Sequence, residues 1–199
     1  MTFKKILVCA PTAKSKNYCF DSWLDNVMNF TYPNFEIRLF DNTNDYGKNA
    51  ALLNSKYIEK YGENDKFKAI NSLVLHNLKP MESIIDKMAI SHNDCRQYAI
   101  DNNFEYMLHL ETDVYPEEDI IQNLLIHNTN VVGAVYYRDE GIYRKPTLQR
   151  NIAITSNHIT SINFDAKEDI FFMNGELKAV ASVGIGCTLI KTTVFKKIK

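Results

Sequence analysis

In the stretch Glu105-Tyr-Met-Leu-His-Leu-Glu-Thr-Asp-Val-Tyr-Pro116, two carboxylates, Glu111 and Asp113, close a run of largely apolar residues. The run itself reads as a strand. Alternate residues of a strand share a face, so an extended chain would point Glu111 and Asp113 the same way. Two oxygen donors converging at the carboxyl end of a strand suit a hard divalent cation, Mn2+ or Mg2+, which keeps several waters and bridges substrate phosphates. The same pattern also fits a plain solvated strand end ahead of a helix that starts at Pro116. His109 alternates with the two acids and could share their face, although a buried, hydrogen-bonded histidine is the plainer role.

A sheet must hold these acids, and the remaining periodicities describe one. KKILVCA (4–10) is a β-rich apolar run closed by Pro11 and followed by the polar loop TAKSKN. YCFDSWLDNVMNF spaces Phe20, Trp23, Leu24, Val27 and Phe30 as a helix, with Trp23 in the core. FEIRLFDN alternates Phe35, Ile37 and Leu39 as a strand. Strand, helix and strand in this order make a βαβ unit with parallel strands. NAALLNSKYIEKYG reads as a helix stopped by glycine, whereas FKAINSLVLHNL fits strand or helix. After Pro80, Met81, Ile84, Ile85, Met88, Cys95 and Ala99 share one face of a long helix.

Beyond the acids, PEEDIIQNLLIHN predicts a helix with Pro116 in its first turn and Ile120, Ile121, Leu124 and Leu125 on its apolar face. VVGAVYY reads as a strand. KPTLQ, NIAITSNHITSINF and IFFMNGELKAVAS turn β-like, the last with an Asn174-Gly175 hairpin signal. VGIGCTLIKTTVFKKIK opens on a glycine pair and becomes a strand and a basic helix. The fold class expected is α/β, with a mixed, mainly parallel, Rossmann-like sheet flanked by helices in one domain over 1–199.

Composition narrows the function. A formal net charge of -1 gives no general attraction to nucleic acid or an anionic membrane, so any site must be locally built. The four cysteines are scattered without a CxxC pair, and read as buried thiols of a reducing compartment. With seven glycines and no GxGxxG, a dinucleotide fold or P-loop is disfavoured. No run reaches the ~18 apolar residues of a transmembrane segment. A cytoplasmic protein is the default expectation.

Taken in order, the quoted segments resemble GT-A fold glycosyltransferases of the family 2 type. Glu111-Thr-Asp113 is similar to their DxD motif with Glu at the first position. Around it stand the helix containing SHNDCRQYAIDNNFEY, the apolar strand, the PEED segment and VVGAVYYRD. AVASVGIGCTLIKTTVFKKI resembles their small-residue strand, GxG turn, LI strand and basic helix.

The resemblance implies a metal-dependent enzyme that moves a sugar from a nucleotide-sugar donor, a UDP- or GDP-sugar foremost, to a hydroxyl of a glycan, lipid-linked or protein acceptor. It implies that Pro11 and Thr12 lie along the base and ribose, and that Asp41 hydrogen-bonds one of them. Asp113 and Glu111 would hold Mn2+ or Mg2+ on the diphosphate. Gly184 and Gly186 would let the backbone approach the sugar or acceptor closely. Residues 1–115 would form the nucleotide-binding half and 116–199 the acceptor half.

Three departures from the pattern are visible. Glu111 is longer than the usual Asp. His92-Asn93 stands where Arg-Asn is common, so that His92 and Arg96, one turn on, would serve the nucleotide. The sequence stops at KKIK, before the late acidic pair and histidine of such enzymes, implying an incomplete C-terminal part, and no catalytic base is assigned. Two rival classes stay open. One is a sugar-phosphate nucleotidyltransferase, disfavoured by the glycine-free APTAKSKN. The other is a non-catalytic nucleotide-sugar-binding subunit. His76, His127, His158, Tyr136-Tyr137, Arg138-Asp139-Glu140 and the basic end at Lys191, Lys196, Lys197 and Lys199 read as packing or solvated surface.

Overall fold

The computed structural model describes residues 2–79, 81, 83–134, 177, 180 and 183–197, with the backbone of 137–140, 143–146, 148–155, 158–163 and 182. The first half alternates strand and helix: β1 (Ile6–Thr12), α1 (Asn17–Met28), β2 (Phe35–Asp41), α2 (Lys48–Tyr61) and β3 (Phe67–Asn71). A short α3 (Ser72–Leu75), the long α4 (Ile84–Asp101), β4 (Tyr106–Leu110) and α5 (Ile120–Leu125) follow. Then come β5 (Val131–Gly133), β6 (Tyr137–Glu140), β7 (Tyr143–Pro146), β8 (Leu148–Thr155) and β9 (His158–Asn163). The chain ends on β10 (Ser182–Val183), β11 (Cys187–Lys191) and α6 (Thr192–Phe195).

Six strands form the main sheet in the order β3-β2-β1-β4-β11-β5. The first four are parallel, and β11 runs antiparallel to both β4 and β5. The α/β, mainly parallel expectation is therefore met. β6 pairs with β7, and β8 with β9 and β10, in two small antiparallel sheets.

β1 lies at the centre, and its run Ile6 to Ala10 is wholly buried, as a strand covered on both faces must be. Its even residues Ile6, Val8 and Ala10 pack with Trp23, Leu24 and Val27 of α1, Leu53 and Tyr57 of α2, and Ile121 of α5. Its odd residues Leu7 and Cys9 face Cys95 and Ala99 of α4. β4 alternates in phase, with Leu108 and Leu110 on the α1 side and Met107 on the α4 side. All four cysteines are buried free thiols. Trp23 sits fully inside the core, as its helical position predicts.

FKAINSLVLHNL resolves into both of its candidate states. Phe67–Asn71 pairs with β2, and Asn71 then caps α3 by accepting from the Val74 amide at 3.0 Å. Gly62 ends α2 at φ 77°, a backbone that favours glycine.

The helix expected from Pro116 instead starts at Ile120. The Pro116 carbonyl accepts from Asn26 Nδ2 at 2.9 Å, and the Glu118 carbonyl from the Thr31 amide at 2.9 Å. Carbonyls held by α1 and the loop after it are unavailable to open a helix here. VVGAVYY is likewise shorter than expected, since the β5 ladder to β11 ends at Gly133. Tyr136 and the Asn174-Gly175 turn lie outside the described residues, as do the side chains of Tyr137, Arg138, Asp139, Glu140 and His158.

Candidate functional site

β1 and β4 pair only from Ile6↔Tyr106 to Cys9↔His109. Beyond that point they separate, while β1 stays paired with β2 as far as Thr12↔Asp41. The chain leaves β1 toward β2 and β3 on one side and returns to place β4 on the other, so the β1/β4 gap is the topological switch of the sheet. In open α/β sheets, ligands bind at the carboxyl ends of the strands at such a switch. A cleft of about 450 Å³ opens there.

One wall of the cleft is the end of β1 and its loop, with Pro11, Thr12, Ala13, Ser15 and Lys16. The second is Glu111, Thr112 and Asp113, and the third is α4, with Ile84, Lys87, Met88 and His92. Asn42 closes the edge. Of the nine residues expected from sequence, the fold thus brings Pro11, Thr12, His92, Glu111 and Asp113 to one cavity. Asp41, Arg96, Gly184 and Gly186 are not among its lining residues.

The two acids converge through a turn and not through strand alternation. β4 ends at Leu110, and the Val114 amide donates to the Glu111 carbonyl at 3.0 Å, folding Thr112 and Asp113 back over the cleft. The turn is backed by residues 184–186. The Glu111 amide donates to the Gly186 carbonyl at 2.9 Å, and His109 Nδ1 donates to the Ile185 carbonyl at 2.8 Å. Thr188 Oγ1 donates to the Gly184 carbonyl at 2.9 Å. The glycine pair in this way supports the acid turn from behind.

Lys16 Nζ forms an ion pair with Asp113 Oδ2. Burial draws the Lys16 ammonium down, but the Asp113 hydrogen bond and charge outweigh it and leave the group raised. Glu111 is raised as well, first by desolvation and then by the neighbouring Asp113 carboxylate, with Lys16 opposing. Two carboxylates lining one cleft, with the Lys16 ammonium on Asp113, provide the oxygen donors that a hard divalent cation takes. Waters and substrate phosphates would have to complete its shell, since the cleft lining offers only these two carboxylates among the described residues.

Asp41 is fully buried at the end of β2 and holds the site together from beneath. It accepts from Thr43 Oγ1 at 2.6 Å, Asn49 Nδ2 at 3.0 Å and Asn71 Nδ2 at 2.8 Å. Thr43 Oγ1 in turn accepts from the Lys14 amide at 2.8 Å, which anchors the loop carrying Lys16.

His109 is fully buried on the α4 side, its ring stacked on His92 at 5.0 Å. Since a carbonyl only accepts, the bond to Ile185 puts the proton on Nδ1. Nε2 is buried with no partner among the described residues. Burial first, then the nearby His92, push His109 down to about 4, and burial lowers His92 too. Arg96 lies one turn from His92, with its Nε buried and unpartnered among the described residues.

A pH prediction follows from His109. The folded protein keeps this ring neutral where the unfolded chain protonates it near pH 6.5. The stability it contributes is present above that pH and is lost as pH falls toward 4, by roughly 3 kcal/mol. Denaturant unfolding at pH 7 and pH 4.5 should show this loss, and a His109→Gln variant should lose at least 2 kcal/mol less between the two pH values, by the same linkage.

Sequence reasoning missed Lys16, Lys87, Asn42 and the apolar pair Ile84 and Met88. The signal for Lys16 was present in the loop APTAKSKN, whose lysines follow the first strand directly. Lys87, Ile84 and Met88 lie on α4, where apolar spacing signals core, yet Ile84 is 68% exposed.

No protein-family model matches the sequence, and no curated protein matches it. Solved structures do resemble it. S. aureus TarS aligns over 97% of this chain and 29% of its own, at 14% identity and a TM-score of 0.54. S. aureus TarS 1-349 in complex with UDP covers 97% and 48%, at 12% identity and 0.52. A putative UDP-N-acetylglucosamine pyrophosphorylase from Entamoeba histolytica covers 97% and 60%, at 10% identity and 0.50. The chain spans under two thirds of each of these structures. The fold is GT-A-like, a mainly parallel Rossmann-type sheet flanked by helices. Among the described residues, no helix is long and apolar enough to cross a membrane.

Proposed function

We propose that this chain is the nucleotide-sugar-binding part of a metal-dependent glycosyltransferase. The observation that carries this is the convergence of Glu111 and Asp113 with Lys16 in a cleft at the switch point of a GT-A-like sheet. Pro11 and Thr12 would flank the base and ribose, while His92 contributes a neutral ring from the α4 wall. Asp41 acts on the nucleotide indirectly, by fixing the β1–α1 loop through Thr43. Arg96 would add positive charge behind His92. The turn at Gly184 and Gly186 would set the height of the acid pair and leave room for sugar or acceptor. In this division 1–115 holds the nucleotide and 116–199 meets the acceptor.

Asp113, with Glu111, would hold the Mn2+ or Mg2+. Such an ion withdraws negative charge from a leaving nucleoside diphosphate, so that departure needs no proton donor. The protein's own share is positioning: before the donor enters, the Lys16 ion pair orients Asp113, and the buried backing of the turn limits its movement.

A sugar-phosphate nucleotidyltransferase is the second reading, favoured by the Entamoeba histolytica likeness and by the lysines after β1. Pyrophosphate release from a nucleoside triphosphate and a sugar 1-phosphate would distinguish it from sugar transfer.

The test of nucleotide binding is a thermal-shift panel of UDP-, GDP-, CMP- and dTDP-sugars with and without Mn2+. At ligand one hundred-fold above Kd, stabilisation should reach about 2.7 kcal/mol. A panel in which no nucleotide sugar stabilises the protein in a Mn2+-dependent way contradicts the proposal.

A further inference from the structure

The cleft carries two lysines as well as two acids, and their partners differ. Lys16, in the loop after β1, is tied to Asp113. Lys87, half-buried on α4, has no hydrogen-bond or ion-pair partner for its ammonium among the described residues. It stands between Ile84 and Met88, which line the same wall.

The two lysines come from opposite layers. The Lys16 loop leads into α1, which packs on one face of the sheet, whereas α4 packs on the other. A ligand lying across the β1/β4 gap passes between them. The loop of Lys16 is held at three points: the Lys16 amide on the Ala13 carbonyl at 2.8 Å, the Lys14 amide on Thr43, and the Lys16 carbonyl under Cys19 Sγ at 2.9 Å. Only its side chain needs to move for the ammonium to change partner.

We infer that Lys16 and Lys87 clamp the donor's diphosphate from the two sides of the cleft without needing a metal, Lys16 exchanging Asp113 for phosphate oxygen. This rests on the nucleotide reading above and extends it. The diphosphate's negative charge replaces Asp113 as the counter-ion of Lys16 and supplies the one Lys87 lacks. Charge-assisted bonds of this kind are the stronger class. Asp113 competes with the diphosphate for Lys16 when no metal is present, so removing its charge should favour metal-free binding.

Isothermal titration in EDTA, with UDP, GDP, CDP and dTDP against their monophosphates, tests this. The wild-type protein should bind its preferred diphosphate about ten-fold or more tighter than the monophosphate. Lys16→Ala and Lys87→Ala should each reduce that ratio to about two-fold or less, leaving the monophosphate affinity little changed, whereas Lys87→Arg keeps most of it. Asp113→Asn should raise metal-free diphosphate affinity several-fold. Melting curves of the variants, expected within a few degrees of wild type, show that they fold; Lys16→Gln or Lys87→Gln replaces the alanine variant at its own position if that one does not, and Asp113→Ser replaces Asp113→Asn.

If diphosphates bind but the ratio survives in either alanine variant, the clamp is wrong and the nucleotide reading stands. A lower metal-free affinity in Asp113→Asn overturns the exchange. Absence of any nucleotide binding by wild type, with or without Mn2+, overturns both.

Discussion

Asp113→Ala should abolish the Mn2+-dependent part of nucleotide-sugar stabilisation and lower any transfer rate by roughly a hundred-fold or more, the scale of losing a preorganised charge stabiliser. The fold should be nearly unaffected. Asp113 is about one third exposed, and its visible partner is Lys16. An ion pair at that exposure contributes about 0–1 kcal/mol. Glu111→Gln should be the milder change, because the amide keeps an oxygen donor at the same position. Titration calorimetry with Mn2+ and a nucleotide sugar, run beside a melting curve, separates the two effects. A Mn2+-dependent shift that persists unchanged in Asp113→Ala would assign the acids to a solvated strand end.

The second large effect falls on a residue that does not itself line the cleft. Asp41→Ala should destabilise the protein by several kcal/mol, at about 1–3 kcal/mol for each buried donor left without its acceptor. Thr43, Asn49 and Asn71 would each lose an acceptor within a buried cluster. The damage should spread to the cleft, because Thr43 also orders the Lys14 amide and with it the loop of Lys16. Denaturant unfolding should give the stability loss. Nucleotide affinity, measured well below the variant's melting temperature, should fall with it. Unimpaired binding would show that the loop holds its shape without Asp41.

Much of the framework was legible in the sequence because it is governed by local pattern. ILVCA reads as a strand because its short apolar run is β-rich, and the spacing of Phe20, Trp23, Leu24 and Val27 reads as one apolar side of a helix. The acid pair was found because it ends an apolar run. What escaped notice depends on contacts distant along the chain. The turn that folds Asp113 over the cleft is backed by Ile185 and Gly186, and Lys16 meets Asp113 across 97 positions. The late start of α5 has the same origin, since Asn26 and Thr31 hold the carbonyls of Pro116 and Glu118. The role at base or ribose that the resemblance implies for Asp41 comes from its place in the family pattern, which carries no information about its neighbours in the fold. Its hydrogen bonds go to Asn49 and Asn71, whose arrival beside it depends on α2 and β3 packing.

α4 shows how one pattern can serve two purposes. Ile84, Met88, Cys95 and Ala99 lie at helical spacing, and the spacing alone assigns them all to the core. Only Cys95 and Ala99 are buried there. Ile84 and Met88 extend past the sheet edge, where the same apolar stripe becomes the wall of the cleft.

The most direct measurement is a crystal structure of the protein with Mn2+ and its preferred nucleoside diphosphate, with anomalous scattering used to locate the manganese. The predicted result is a manganese peak beside the Glu111–Asp113 turn, with the diphosphate in the same cleft and the base between Pro11–Thr12 and the α4 wall. A nucleotide bound away from the β1/β4 cleft, or a manganese peak remote from both Glu111 and Asp113, would contradict the central claim.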